Sequence, residues 1–112
     1  MLKIEKNFNA DLFILRLIGD VDASNSVELD EAIQEFVNHN THKILIDASR
    51  LDYISSAGLG VFMSYLEEFA EKNIQMVIFG LSEKVHQVFR ILGLDLLINI
   101  KQDEAEAMQE IL

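Results

Sequence analysis

Apolar residues recur along this chain at two spacings, every second position and roughly every 3.6 positions, and the two patterns alternate from end to end. Leu2–Lys6 and Leu12–Ile18 alternate like half-buried strands, and the Asn- and Asp-containing segment 7–11 between them favours a turn. Gly19-Asp20-Val21-Asp22 closes the second strand. A first helix is expected to start near Ser24 or Asn25, with Glu28 three residues after Asn25 as in a capping box. Its apolar positions Leu29, Ile33, Phe36 and Val37 share a face. Lys43–Ala48, with Ile44-Leu45-Ile46 at its centre, is a short buried strand. The stripe Leu59, Phe62, Met63, Leu66 and Phe69 marks a second helix, on which Phe62 and Met63 read as core. Gln75–Phe79 is another apolar strand. A third helix runs from about Ser82 to Leu92, with Val85, Val88, Phe89 and Leu92 inward. Gly93 suits a left-handed C-cap, and Leu94 can fold back on the last turn. Leu97–Ile100 reads as a short strand and Asp103–Leu112 as a final amphipathic helix.

An initial hairpin followed by strand–helix–strand order implies an α/β fold with parallel crossovers. With 112 residues the chain reads as one small domain, 1–112, without linker, repeat or low-complexity segment. The expectation is one four- or five-stranded mixed sheet with helices mostly on one face. Ligands and partners of such sheets gather beyond the carboxyl ends of the strands. Asp20 and Asp22 follow the second strand, and Asp47, Ser55 and Ser56 follow the third, so these five are expected at one edge.

Composition narrows the chemistry available there. The chain has no cysteine, which removes disulfides, thiolate nucleophiles and thiolate metal sites. Nineteen acidic residues against nine basic ones give a net charge of −10, which disfavours nucleic acid as a partner. Nothing at the N-terminus resembles a signal peptide, and no apolar run approaches a membrane span, so a cytoplasmic protein is expected.

The most informative segment is Leu51-Asp52-Tyr53-Ile54-Ser55-Ser56-Ala57-Gly58-Leu59-Gly60. Its adjacent serines stand where a helix begins. Free backbone N–H groups and the positive helix end favour a phosphate there, while simple N-capping by one serine is the plainer role. Catalytic patterns fail at identifiable positions. G-x-G-x-x-G breaks at Met63, no G-K-[ST] occurs, and Ile54 stands where a G-x-S-x-G elbow needs glycine. His39 and His42 fall in a polar loop, and His86 lies on a different element. Asp20, Asp22 and Asp47 suit turns and caps better than a metal centre. No enzyme activity, cofactor or metal is expected.

Gly19-Asp20-Val21-Asp22, Ile44-Leu45-Ile46-Asp47-Ala48-Ser49 and Tyr53–Gly60, with the later Gly93-Leu94, resemble the STAS domain, and in particular the bacterial anti-sigma factor antagonists. The resemblance extends over essentially the whole chain. It implies binding to an anti-sigma factor that is also a serine kinase, phosphorylation of a loop serine that ends binding, and a serine phosphatase that resets it. The family's loop reads Asp-Ser-Ser/Thr-Gly-Leu-Gly. Aligned on Gly58 and Gly60, the acceptor is Ser56, with Ser55 as the alternative. Ser55 then replaces the family aspartate, and Ala57 replaces the second hydroxyl. The resemblance puts Asp22 near the kinase-facing surface, and partner contacts are expected from Asp20, Asp22, Tyr53, Ile54, Ser55, Ala57, Gly58 and Leu59, with Tyr53, Ile54 and Leu59, which flank the serine loop, as partly exposed apolar contacts. The alternative is a non-phosphorylated STAS scaffold within a transporter or sensory complex, its serines acting only as caps.

Overall fold

The first two strands meet in a tighter turn than their polar flanks suggest. In the computed structural model, which describes residues 1–112, β1 (Leu2–Asn9) and β2 (Leu12–Val21) pair antiparallel from Leu2↔Gly19 to Asn9↔Leu12. Only Ala10 and Asp11 remain for the turn, and Ala10 takes a positive φ of 54°. Both strands therefore outrun the expected ends at Lys6 and Ile18. β1 is an edge strand, so polar residues continue its ladder at no burial cost.

The remaining elements are α1 (Ser26–Asn38), β3 (Lys43–Ile54), α2 (Ser56–Glu71), β4 (Gln75–Phe79), α3 (Glu83–Ile91), a 3-10 turn (Leu94–Leu96), β5 (Asn99–Lys101) and α4 (Glu104–Ile111). The five strands lie in sequence order, β1 antiparallel and β2 to β5 parallel. Twenty-three buried residues join α1, α2 and α3 to one face of the sheet, and six join α4 to the other. Ile44 and Ile46 point to the first face and Leu45 to the second, as strand alternation requires. The expected mixed sheet with helices mostly on one face is the observed one.

β3 departs most from expectation, running to Ile54 rather than stopping at Ala48. Its register with β2 slips twice, from Arg16↔Asp47 to Ile18↔Arg50 and from Gly19↔Leu51 to Asp20↔Tyr53. Each slip inserts one extra residue into β3, as a β-bulge does. The core-facing residues beyond Ala48 are then Leu51 and Ile54, three apart, and the two-residue period that identifies a strand is lost.

Three smaller corrections follow from packing. Asn25 precedes α1, but its side chain makes no cap bond, so the expected capping box with Glu28 does not form. Met63 is half exposed, because the buried stripe of α2 is Leu59, Phe62, Tyr65 and Phe69. The Tyr65 hydroxyl within that stripe donates to Asp30 Oδ1 of α1 at 2.7 Å. Leu92 is also exposed, since the chain turns at Gly93 (φ 73°) and Leu94 is buried in its place. Gly93 and Leu94 thus act as the sequence predicts, and β5 starts at Asn99, two residues later than expected.

Candidate functional site

A single residue, Ser55, separates β3 from α2, and it is fixed from both sides. Its N–H donates to Val21 O at 2.8 Å, which extends the β2–β3 pairing by one step. Its hydroxyl accepts from Gly58 N–H at 3.3 Å, and its carbonyl accepts from Leu59 N–H at 3.0 Å. Ser55 is therefore the N-cap of α2 in an extended conformation, as cap geometry requires. Ser56 is the first residue of the helix and is exposed, and it takes no part in the cap. Its amide and that of Ala57 precede the first paired donor of the helix. The two serines thus divide the two roles that sequence left open, one hydroxyl committed and one free.

Gly58 sets how closely this turn approaches the sheet. A Cβ there would meet Val21 Cγ1 at 2.6 Å and Ile54 Cγ1 at 2.8 Å. The first turn of α2 lies directly on the last core residues of β2 and β3. Ile54 and Leu59, expected as partly exposed contacts, are instead core residues at 2 % and 1 % exposure. Gly58 is buried and Ala57 half-buried. Of the three apolar residues expected at the surface only Tyr53 is there, at 46 % exposure. The cause is the length of β3: Ile54 belongs to the strand, and its neighbour Tyr53 points the other way.

Beside the serines, β2 ends in a closed polar turn. Asp22 Oδ1 accepts from Ser24 Oγ at 2.6 Å, from Ser24 N–H at 2.9 Å and from Asn25 N–H at 3.2 Å. Asn25, buried at 7 %, accepts from Asp22 N–H at 2.9 Å and donates through Nδ2 to Asp20 O at 3.0 Å. The Ser24 hydroxyl, supported by the two amides, holds the Asp22 carboxyl below its ordinary pKa. Asp22 therefore presents a fixed negative charge at neutral pH. Register places Asp20 opposite Tyr53 and Val21 opposite Ile54, so Asp20, Asp22, Ser55 and Ser56 occupy the same end of the sheet.

Asp47 does not join them. It lies opposite Arg16 within the sheet, its carboxylate 3.3 Å from Arg16 Nε and accepting from Ser49 Oγ at 2.6 Å. The three aspartates of the expected edge do not converge. Ser24 and Asn25 hold the site together but were foreseen only as a helix start. Their signal was the Asp-x-Ser spacing of an Asx turn, in which an aspartate binds backbone two residues on.

Comparison with known proteins agrees with this architecture. The family model for the STAS domain matches residues 3–107. An anti-sigma-B factor antagonist of Listeria monocytogenes is 31% identical over 96 residues, covering 86% of this chain and 82% of that protein. A Thermotoga maritima structure described as a candidate anti-sigma factor antagonist superposes with a TM-score of 0.89 at 25% identity, covering 96% of this chain and 93% of the other. The phosphorylated form of the Bacillus cell fate determinant SpoIIAA shares the fold, with a TM-score of 0.72 at 18% identity over 100% of both chains. No helix of the chain is long and apolar enough to cross a membrane.

Proposed function

The chain belongs to the STAS domain family, and we propose that within it the protein is an anti-sigma factor antagonist switched off by phosphorylation of Ser56. The observation that carries this reading is the division of labour at the start of α2. Ser55 holds the helix, which leaves Ser56 exposed and free to react. The curated Listeria relative is named for the same activity. In its unmodified state the protein binds a cytoplasmic anti-sigma factor through the rim formed by Asp20, Asp22, Tyr53, Ser55 and Ser56. It has no catalytic activity of its own.

The bound anti-sigma factor acts as the kinase and supplies ATP. Ser56 Oγ attacks the γ-phosphorus, the bond to the β-phosphate oxygen breaks, ADP leaves, and the hydroxyl proton passes to a base on the kinase. A serine phosphatase reverses the change by directing water onto phosphorus, releasing inorganic phosphate. The phosphate does not disrupt the fold. It sits at a helix N-terminus, where the unpaired Ser56 and Ala57 amides and the helix dipole favour an anion. Its effect falls on the interface, where a group of nearly two negative charges joins the fixed charge of Asp22. A partner surface that fits a neutral hydroxyl then faces a dianion, unpaired and stripped of water.

Incubation with ATP and the anti-sigma factor kinase of the same organism, followed by intact mass and phosphopeptide mapping, tests this reading. One phosphate on Ser56, none in Ser56→Ala, and loss of kinase binding on modification are the expected results. Modification of Ser55 with Ser56 untouched overturns the assignment. An unmodified protein that stays bound to a transporter or sensory complex supports the scaffold reading instead.

A further inference from the structure

Of the four α-helices, only α1 goes without a side-chain cap at its N-terminus. Ser55, Ser82 and Asp103 each accept from an amide in the first turn of α2, α3 and α4, whereas Asn25 makes no such bond to α1. Asparagine is among the best capping residues, so α1 forgoes stabilisation that its own sequence could supply. Apart from Tyr65, Asn25 is also the only buried residue with a polar side chain. A local preference given up at a buried position marks a residue held by a different requirement.

The side chain turns back to the end of β2 instead. Its Oδ1 accepts from Asp22 N–H at 2.9 Å and its Nδ2 donates to Asp20 O at 3.0 Å, so the two bonds straddle Val21. Val21 O in turn accepts from Ser55 N–H at 2.8 Å, and the Val21 side chain lies beneath Gly58. The backbone that Asn25 clamps is therefore the backbone from which the serine turn hangs. Asn25 N–H donates to Asp22 Oδ1 at 3.2 Å, beside the N–H and hydroxyl of Ser24. Three donors on Oδ1 hold the Asp22 carboxylate in one orientation, with Oδ2 left unpartnered within the chain. We propose that Asn25, assisted by Ser24, is a positioning residue of the switch, fixing the Asp22 carboxylate at the rim before the anti-sigma factor arrives. This assignment rests on the antagonist reading above. A side chain already in its bound orientation loses little rotamer freedom on association, and restoring that freedom weakens binding roughly five- to tenfold. Asn25 is itself buried, so its effect passes through Asp22 and not through contact with the partner.

Calorimetric titration of the full chain with the anti-sigma factor kinase of the same organism tests the assignment. A non-hydrolysable ATP analogue keeps Ser56 unmodified throughout. Asn25→Ser removes both bonds to β2 and offers α1 a cap hydroxyl. The expected result is an unchanged circular dichroism spectrum with affinity lowered roughly five- to tenfold. Asp22→Ala should lower affinity at least as much. Adding Asn25→Ser to Asp22→Ala should then weaken binding by less than about twofold more, because the group it positions is gone. Ser24→Ala, at an exposed position, should show the same non-additivity with a smaller loss, and its cycle decides the matter if Asn25→Ser loses its fold. Additive losses, or full affinity in Asn25→Ser, overturn the assignment and leave the proposed function standing. A parent chain that does not bind the kinase overturns that function, and the assignment with it.

Discussion

Gly58 and Gly60 stand two residues apart in one helix, and alanine at each should have opposite effects. Alanine removes the backbone entropy cost of glycine, worth about 0.5–1 kcal/mol within a helix. At Gly60 a Cβ meets nothing within 4 Å, so Gly60→Ala should stabilise by most of that amount. At Gly58 the same gain is opposed by contacts of 2.6 Å to Val21 and 2.8 Å to Ile54. Both neighbours are β-branched, stiff at χ1 and buried, so neither can swing aside. Overpacking of this kind costs about 1–3 kcal/mol, which leaves Gly58→Ala destabilised by ~0.5–2 kcal/mol. The two variants should therefore differ by ~1–3 kcal/mol, or roughly 1 M in urea midpoint for a domain of this size. Urea titration followed by circular dichroism measures the gap. Relief of the clash lifts the first turn of α2 from the sheet and carries Ser56 with it, so Gly58→Ala should also be phosphorylated more slowly than Gly60→Ala. Equal or greater stability of Gly58→Ala would show that α2 does not rest on Val21 and Ile54.

Ser55→Ala should cost about 0.5–1 kcal/mol, the lower half of the range for a lost N-cap, because its 3.3 Å hydrogen bond is long. Ser56→Ala should stay within about 0.5 kcal/mol of the parent, and equal thermal shifts for the two variants would contradict the assigned roles. Tyr65→Phe removes a hydroxyl that links α2 to the Asp30 carboxylate, and should cost about 1 kcal/mol. Burial, followed by the bond to Asp30, raises the Tyr65 pKa, so its contribution is intact below the ordinary tyrosine value of about 10 and is lost as pH rises beyond it. The parent should lose stability faster than Tyr65→Phe in that alkaline range, and parallel curves would refute the linkage. Asp22 behaves oppositely: its lowered pKa gives a contribution present above about pH 4 and lost as pH falls through the folded-state value. Unfolding curves of Asp22→Asn should be flatter over that acid range than those of the parent, and an identical slope would sink the idea.

The hydrophobic pattern of the sequence determined the number and order of the elements, because burial on one face imposes a period that the order of residues displays. β4 matches its predicted ends, Gln75 and Phe79, since a central strand covered on both faces is apolar along its buried run, here Met76 to Phe79. Gly93 was legible for a similar reason, as a left-handed residue after a helix is most often glycine. The serine pair and its glycines were legible as a motif, and so was the family they belong to. What the sequence left open was decided by pairing between strands distant in the chain. The second half of β3 follows β2 through two register slips, so Leu51 and Ile54 reach the core at a spacing that no periodic template contains. That geometry buried Ile54 and Leu59 and left Tyr53 outside. It also brought Val21 under Gly58, and Asp22 to the end of the sheet where Ser56 begins its helix. The division between the two serines has the same origin. Adjacent and chemically identical, they differ because the β2–β3 ladder ends on Ser55, which turns its hydroxyl to the helix amide and leaves the next one in solvent.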